Sequence, residues 1–204
     1  MPKSIALNCD CMEFLRGCSD NQFALAVVDP PYNLKPTSVR GAGKLRNRLL
    51  NQSNMDWDKM PPAEYFEELF RVSENQIIWG GNYFQLPPCR CFVCWDKQQP
   101  WENFSQAEFA WTSFDKPAKM FRHTSRIKGK WHATQKPVEL YAYLYRTFAN
   151  EGDTILDTHL GSGSSRIAAY KMGLDFTGCE INGDFFQRQE EDFKKECLNE
   201  QELF

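Results

Sequence analysis

The sequence contains no long apolar run, and this absence argues against a membrane-spanning helix, which needs about 18 consecutive apolar residues. Residues 1–10 also lack the apolar stretch and cleavage site of a signal peptide. We therefore expect a cytoplasmic protein that does not contact a membrane. No internal repeat, low-complexity tract or linker divides the chain, so its 204 residues, 42% of them hydrophobic, predict a single domain over 1–204.

Histidine is scarce, with three residues, and the eight cysteines do not form a recognisable metal site. Cys89, Cys91 and Cys94 could supply three zinc ligands, but a structural zinc needs four, and no Cys or His follows at the spacing of a zinc finger. The run 91–95 also has the pattern of a buried strand, in which thiols pack as small hydrophobic groups. We expect no metal, and the lack of export signals argues against a disulfide framework.

Positive charge is not in excess, since the formal net charge is −3, but the cations are unevenly distributed. The segments 33–53 and 116–130 carry five and six of the 24 Lys and Arg residues, and they contain no acid. Either segment alone could be a solvated loop, whereas two on an acidic protein favour a polyanionic partner. Because neither shows a clear period, we predict loops at 33–53 and 115–131.

Short apolar runs alternate with helical patterns along the chain, which is typical of an α/β sheet covered on both faces. Helices are predicted after the proline pair 61–62, after Pro137, at 164–172 with Gly173 as the C-terminal cap, and at 184–198. About seven strands are predicted, at 5–8, 24–28, 76–79, 91–95, 107–114, 154–157 and 175–179.

A glycine-rich turn, 161–163, joins a predicted strand to a predicted helix, and Glu180 ends the next strand. Its two glycines would allow a ligand to approach the backbone closely. Arg166 stands where a dinucleotide fingerprint has its third glycine, which argues against NAD and FAD. A nucleoside-type cofactor without a pyrophosphate fits better, with Glu180 accepting both ribose hydroxyls. An ordinary strand-to-helix turn beside a surface glutamate is the alternative.

The segment Asp29-Pro30-Pro31-Tyr32 follows a predicted buried strand, at the edge where open α/β sheets bind ligands. The prolines rigidify the turn and leave carbonyl oxygens without neighbouring N–H partners. With the carboxylate of Asp29, these oxygens would form a cluster of acceptors suited to an amino group. Tyr32 offers an aromatic face to a flat base. A plain strand-ending turn is the alternative, because Asp and Pro favour turns.

Three segments together resemble the amino-group DNA methyltransferases: 29–32, 132–140 and 156–165. Their order, catalytic before cofactor motif, is similar to that of the beta class, and 79–84 and 110–113 resemble segments of small phage and prophage members. The resemblance covers nearly the whole chain. It implies a Rossmann-like, S-adenosylmethionine-dependent methyltransferase fold with permuted motif order, in which a mostly parallel sheet of about seven strands has helices on both faces.

The resemblance also implies a role for each matching residue. Asp29 and the Pro30 carbonyl would hold the target amine, beside Pro31, and Tyr32 would stack on the extruded base. Ala133 and the pair 158–159 depart from the family, which usually has Pro and Pro-Phe there. In the predicted cofactor site, Asp10 and Cys11 would contact the adenine ring of the cofactor, and the run 134–136 would contact its methionine carboxylate. Gly161 and Gly163 would border the methionine part, and Glu180 would bind the ribose. The predicted S-adenosylmethionine contacts are Asp10, Cys11, Asp29, Thr134, Gln135, Lys136, Asp157, Leu160, Gly161, Ser162, Gly163, Ser164, Glu180 and Ile181.

The implied partner is double-stranded DNA, bound by a monomer or a homodimer, and the two basic loops would be small target-recognition elements. An Asp at the start of the tetrapeptide usually accompanies N6-adenine in this family, and a Ser accompanies N4-cytosine. No metal and no covalent intermediate would be needed. The predicted DNA contacts are Lys35, Arg40, Lys44, Arg46, Arg48, Lys119, Arg122, Arg126, Lys128 and Lys130.

Other functions are compatible with parts of this pattern. The same site could methylate N4 of cytosine or an amine in RNA, and a non-catalytic DNA-binding relative could keep the fold. Such a relative should have lost the acid or the aromatic, yet Asp29 and Tyr32 are both present. The pair 88–89 matches the Pro-Cys nucleophile of cytosine C5 methylation, but no other element of that chemistry is evident.

Overall fold

The computed structural model describes residues 1–33, 59–100, 105–132 and 134–198. Five α-helices lie within these ranges: Cys11–Arg16 (α1), Ala63–Val72 (α2), Val138–Phe148 (α3), Ser164–Lys171 (α4) and Gly183–Phe193 (α5). A 3-10 turn covers Gly81–Tyr83, and a π-helical turn, Lys194–Leu198, continues α5. The strands are Ser4–Leu7 (β1), Phe23–Val28 (β2), Ser73–Trp79 (β3), Phe92–Asp96 (β4), Ala107–Thr112 (β5), Lys119–Arg122 (β6), Thr154–Asp157 (β7) and Asp175–Cys179 (β8).

The eight strands form one sheet in the order β1-β8-β7-β2-β3-β5-β4-β6. All pairings are parallel except those of β5, which runs antiparallel to β3 and to β4. The predicted mostly parallel α/β sheet is therefore confirmed, with eight strands where about seven were expected.

The additional strand, β6, corrects the prediction that 115–131 is entirely loop. Residues 119–122 pair in parallel with β4, from Val93 to Asp96. The side chain of Phe121 packs against Tyr143 of α3, with the ring centroids 5.1 Å apart. Four residues are too few for a period of two to stand out in a run that is otherwise basic, so the strand depends on tertiary pairing.

Two hydrophobic cores cover the two faces of the sheet. Alternate residues of β2 point to opposite sides: Leu25 and Val27 belong to the core beneath α3 and α4, whereas Ala26 and Val28 belong to the core beneath α1 and α2. Because β2 is buried on both faces, its sequence is a continuous apolar run without polar alternation. The predicted covering of both faces by helices is confirmed.

The strand directions bring several chain segments to one edge of the sheet. Strands β2, β7 and β8 are parallel, so the residues after Val28, Asp157 and Cys179 meet at their carboxyl ends. The antiparallel strand β5 begins at this edge, near Glu108. Strand β4 runs opposite to β5 and therefore ends there, just before Lys97. Five strands thus bring ionisable side chains to the same edge.

In the described parts of the chain, no helix is long and apolar enough to cross a membrane, and no three His, Cys, Asp or Glu residues are grouped as a metal ion would require. All eight cysteines are free. Cys91 is buried in the core, with its Sγ 3.6 Å from the carbonyl oxygen of Pro117. This thiol serves as a small core side chain, as the sequence pattern indicates.

Candidate active site

Asp29 lies directly after β2, and both of its carboxylate oxygens are engaged. The Tyr32 hydroxyl donates to Oδ1, and the Lys136 ammonium group donates to Oδ2. Lys136 is almost fully buried, at 4% exposure, so its charge needs nearby carboxylates. The structure therefore brings the acid of the tetrapeptide and the lysine of the Thr-Gln-Lys motif into direct contact.

The ring of Tyr32 is held between backbone and aromatic side chains. It stacks on Tyr83, with the centroids 5.0 Å apart and an interplanar angle of 20°, and it meets the edge of Phe84. Gly80, at φ +69°, lies beneath the ring, and a Cβ there would come within 2.1 Å of a ring carbon. A side chain at position 80 would therefore displace Tyr32. Burial raises the pKa of Tyr32 well above its usual value, so the hydroxyl remains a donor.

A second carboxylate, Glu108 at the start of β5, lies on the other side of Lys136. Its Oε2 is 3.2 Å from the Lys136 Nζ, and its Oε1 pairs with Lys97. Burial alone would raise the pKa of Glu108, but the two ammonium groups lower it to about 2. Glu108 and Lys97 did not emerge from the sequence, because a single acid in an aromatic strand carries no recognisable motif.

The glycine turn after β7 packs against Glu180 at the end of β8. The Gly161 N–H donates to Oε2 of Glu180 over 2.8 Å, and the Asn182 N–H donates to Oε1 over 2.8 Å. Gly161 and Gly163 have φ values of +52° and +73°, which favour glycine. Burial raises the pKa of Glu180. Each carboxylate oxygen keeps a free lone pair for a hydroxyl donor on a ligand.

Asp157 lies beneath this turn and does not line the cleft. It is 1% exposed and accepts hydrogen bonds from the Ser165 hydroxyl (2.5 Å) and from the His159 N–H (3.0 Å). Burial raises the pKa of Asp157 to about 7, against the lowering effect of these two bonds. In this arrangement Asp157 holds the turn and the start of α4 together.

Arg166, which replaces the third glycine of the dinucleotide pattern, has a structural role. Arg166 is 4% exposed, and its guanidinium group pairs with Glu190 of α5. It also donates to the Gln189 side chain (3.0 Å) and to the Ser4 hydroxyl (3.0 Å). The position thus connects α4 to α5 and β1, and no ligand phosphate is required to explain the arginine.

The segment before α3 forms the opposite wall of the cleft. His132 lies edge-on to Phe185 at 4.6 Å, and Trp131 donates its indole N–H to Asp192 of α5 over 2.6 Å. Burial, with smaller contributions from two nearby lysine charges, lowers the pKa of His132 to about 4. This imidazole is therefore neutral at pH 7, and it adjoins Gly161 across the cleft.

Thr158 and His159, where the family usually has Pro-Phe, form a hydrogen-bonded chain with Tyr65 of α2. The Tyr65 hydroxyl lies 2.6 Å from the Thr158 hydroxyl, which lies 2.9 Å from Nδ1 of His159. Tyr65 and Thr158 are buried, so this chain satisfies both hydroxyl groups within the protein. Burial lowers the pKa of His159 to about 4. His159 therefore places an aromatic ring with a polar edge in the cleft lining.

Most predicted cofactor and catalytic residues meet in this one cleft. Five lining residues were not predicted: His132, Tyr141, His159, Asn182 and Phe185. His132, Tyr141 and His159 lie within or beside the predicted motifs 132–140 and 156–165, which is the signal that could have identified them, whereas Asn182 and Phe185 belong to the start of α5 and to no motif. The predicted residues that line the cleft are Asp29, Pro31, Thr134, Gln135, Lys136, Leu160, Gly161, Ser162, Glu180 and Ile181.

Seven predicted site residues are not part of the cleft lining: Asp10, Cys11, Pro30, Tyr32, Asp157, Gly163 and Ser164. Asp10 caps the N-terminus of α1, accepting from the N–H groups of Met12 (2.8 Å) and Glu13 (3.1 Å). Burial, with the adjacent Asp10 carboxylate, raises the pKa of Cys11 to about 12. Asp10 thus has a structural role as the cap, Cys11 packs against the core beneath α1 and α2, and the contact of both residues with an adenine ring stays a prediction.

Of the predicted DNA contacts, Lys35, Arg40, Lys44, Arg46 and Arg48 lie outside the described residues. Lys119 begins β6, and Arg122 ends it, 3.7 Å from Asp96. Because β6 is parallel to β4, the chain after Arg122 continues at the edge that carries the cleft. The remaining predicted cations, Arg126, Lys128 and Lys130, are exposed.

Comparisons with known proteins place this site in context. The DNA methylase family model, N6_N4_Mtase, matches residues 95–191, just under half of the chain. The type II methyltransferase M1.MboII of Moraxella bovis is 23% identical over 238 residues, covering 86% of this chain and 91% of that protein.

Solved structures share the fold at lower identity. The M1.HpyAVI–SAM complex superposes with a TM-score of 0.61 at 16% identity, covering 92% of this chain and 98% of that one. The PvuII DNA methyltransferase (cytosine-N4-specific) gives 0.62 at 12% identity, covering 97% and 94%. The comparisons confirm the predicted fold class and the resemblance to amino-group DNA methyltransferases. The beta-class and phage resemblances stay predictions.

Proposed function

We propose that the chain is an S-adenosylmethionine-dependent DNA methyltransferase that acts on an exocyclic amino group, and specifically on N6 of an adenine flipped out of the duplex. The observation that carries this proposal is the position of Asp29. Its carboxylate lies in one cleft with the glycine turn and Glu180, so an amine acceptor and a nucleoside-binding acid share a single space.

The cleft residues suit the cofactor. Glu180 has lone pairs for the two ribose hydroxyls, and the left-handed glycines keep the turn free of side chains where a ligand would approach. Thr134 and Gln135 line the wall opposite this turn and can donate to a carboxylate. When bound, S-adenosylmethionine supplies an electrophilic methyl group on a sulfonium sulfur. The protein's task is to orient an amine toward that carbon.

Asp29 would perform the orientation and the electrostatic stabilisation. Its carboxylate would accept a hydrogen bond from the target amine, and the Pro30 carbonyl would accept a second. The amine lone pair, otherwise delocalised into the ring, would then point at the methyl carbon. Positive charge would develop on the amine nitrogen as the methyl group leaves the sulfur, and the fixed negative charge of Asp29 would stabilise it until the amine releases a proton.

Tyr32 would compensate part of the energetic cost of base flipping. Unstacking costs a few kcal/mol, and stacking on an aromatic side chain returns about 1–3 kcal/mol. Tyr32 already stacks on Tyr83, which is 46% exposed and provides a second aromatic surface at the rim. The same pair could sandwich a base if the rings separate.

Cytosine N4 is the second candidate target, because the same acceptor set can hold its amino group. The similar fold of the cytosine-N4-specific PvuII enzyme supports this alternative. The initial Asp of the tetrapeptide favours adenine through the family resemblance alone.

Methyl transfer to DNA tests the proposal directly. The protein would be incubated with isotopically labelled S-adenosylmethionine and unmethylated genomic DNA, and the DNA would then be digested to nucleosides for mass spectrometry. We expect labelled N6-methyladenine, and Asp29→Ala is the matched inactive control. Labelled N4-methylcytosine would change the target base, whereas cofactor and DNA binding without transfer would indicate a non-catalytic relative.

A further inference from the structure

Lys136 occupies an unusual position between two acids in the wall of the cleft. Its side chain is 3% exposed and pairs with Asp29 on one side and with Glu108, 3.2 Å away, on the other. Its ammonium nitrogen also lies 5.2 Å from the centroid of the Trp79 ring. The contact with Asp29 is a hydrogen bond that uses one of the three N–H donors of Lys136, and the contact with Glu108 is an ion pair.

The charges form an alternating row. Negative Asp29 is followed by positive Lys136, negative Glu108 and positive Lys97, and each neighbour in the row is within ion-pair distance of the next. The side chains of Asp29, Glu108 and Lys97 are 14%, 27% and 16% exposed, so water screens the row only partly. The row begins with the carboxylate of Asp29, the first residue of the tetrapeptide.

A lysine alone would work against the proposed chemistry. An ammonium group beside Asp29 neutralises the negative charge that has to stabilise a developing cation on the target amine. Glu108 offsets that ammonium charge from the far side. Asp29, Lys136 and Glu108 together carry one net negative charge; Lys97 balances it for the row as a whole, but it pairs with Glu108 at the end of the row away from Asp29. Lys136 still fixes one carboxylate oxygen of Asp29 in place.

We propose that Lys136 and Glu108 are positioning residues for Asp29: Lys136 holds its carboxylate in one orientation, and Glu108 preserves the negative charge that faces the target amine. This inference rests on the proposed function. It differs from the role that the family resemblance implies for Lys136, which is contact with the methionine carboxylate of the cofactor. Glu108 had no predicted role.

A double-mutant cycle with Lys136→Met and Glu108→Gln separates these roles. We expect each single variant to lower kcat by about tenfold or more, within the range of coupled neighbouring groups, and to leave the calorimetric Kd for S-adenosylmethionine within about threefold. Because Glu108 acts only through Lys136, adding Glu108→Gln to Lys136→Met should cause no further loss. Glu108→Asp should restore much of the activity lost in Glu108→Gln.

An exposed pair provides the matched control. Lys171 and Glu196 lie 3.3 Å apart, with side chains 44% and 51% exposed, so Lys171→Met and Glu196→Gln should leave kcat unchanged. If Lys136→Met does not fold, as thermal unfolding would reveal, Glu108→Gln and Glu108→Asp carry the test, since both retain Lys136.

Several outcomes would overturn the inference. Additive losses in the double variant would show that Glu108 does not act through Lys136. A weaker cofactor Kd with kcat kept within twofold would assign Lys136 to the cofactor carboxylate. An unchanged kcat in Glu108→Gln would remove Glu108 from the mechanism. If wild-type protein transfers no methyl group to any DNA, the proposed function itself fails, which is distinct from each of these results.

Discussion

The hydroxyl group of Tyr32 donates a hydrogen bond to Oδ1 of Asp29. The side chain that should stack on the target base therefore occupies the oxygen that the amine of that base would use. The other oxygen is bound by Lys136, so the amine of a bound base would compete with the tyrosine hydroxyl for Oδ1 or share that oxygen with it. In the free protein the acceptor is satisfied internally, which avoids an unpaired buried carboxylate oxygen.

Tyr32→Phe should remove this competition and keep the aromatic face. Hydrogen bonds to charged groups contribute about 1.5–3 kcal/mol, so we expect the KM for DNA to fall severalfold with kcat largely retained. Tyr32→Ala should raise KM, because the stacking contribution of about 1–3 kcal/mol is lost. Steady-state kinetics on one methylatable duplex would compare the two variants. Equal losses of kcat/KM in both would contradict this role of the hydroxyl.

Asp29→Ala should nearly abolish turnover. Removing one preorganised electrostatic group from a transition state typically lowers kcat by 10²–10³, and the predicted cofactor contacts other than Asp29 would remain. Calorimetry should therefore give an S-adenosylmethionine Kd within a few fold of wild type. A variant that retains more than about a tenth of the wild-type kcat would exclude Asp29 as the amine acceptor.

Glu180→Ala should weaken S-adenosylmethionine binding at least tenfold, since two hydrogen bonds from ribose to a charged group would disappear. The variant also loses the bonds from the Gly161 and Asn182 N–H groups, which order the turn. Asp175→Asn, at the opposite end of β8, is the matched control and should leave the calorimetric Kd unchanged. An unaltered Kd in Glu180→Ala would place the ribose contact elsewhere.

His132 should make the free energy of unfolding depend on pH. Burial lowers its pKa to about 4 in the folded state, against about 6.5 in the unfolded chain, so the unfolded state binds its proton first as the pH falls. The contribution of the neutral His132 to the free energy of unfolding is fully present above pH 6.5. As the pH falls toward 4, the free energy of unfolding should decrease by about 2–3 kcal/mol, as expected for a buried group. Urea denaturation of wild type and His132→Gln at pH 7.5 and 4.5 measures it. A stability difference between the two proteins that is equal at both pH values would argue against a perturbed His132.

The basic segments should give DNA binding a steep salt dependence. If about five cations contact phosphates, log K should fall with log salt at a slope near −4.5. Neutralising Arg46, Arg48, Arg126 and Lys128 together should flatten the slope and weaken binding to all sequences, with cofactor affinity unchanged. Arg126 and Lys128 are exposed, and the other two lie outside the described residues. The same slope in wild type and variant would show that these cations face away from DNA.

The sequence was sufficient for most of the fold because its signals are local. The apolar runs of β2, β7 and β8 predicted three central strands, and prolines predicted the starts of α2 and α3. Strand β6 was missed because its four residues acquire strand geometry only by pairing with β4. The number of strands thus depends on a contact between segments that no short window contains.

The residues of the candidate site also divide into those that local sequence motifs identify and those that depend on contacts between distant segments. Asp29, the glycine turn and Glu180 stand in motifs and could be located from the sequence. Glu108 and its contact with Lys136 could not, because they arise from the antiparallel direction of β5, which brings its first residues to the edge where β2 ends. The direction of one strand, which periodicity does not reveal, determines which acids surround Asp29.

The pairing of β2 with β7 also sets an order of events during synthesis. The backbone N–H of Ala24 donates to the side chain of Thr154, 130 residues further along the chain. At about 5–20 residues per second, a ribosome needs on the order of ten seconds to deliver that partner. Until then, one edge of the apolar strand β2 has no neighbour, a state prone to wrong pairing. The cleft is complete only after β8 has been synthesised, so a nascent chain that lacks β8 has no complete ligand site. A cofactor added to a cell-free translation system would therefore bind and stabilise completed chains but not nascent ones.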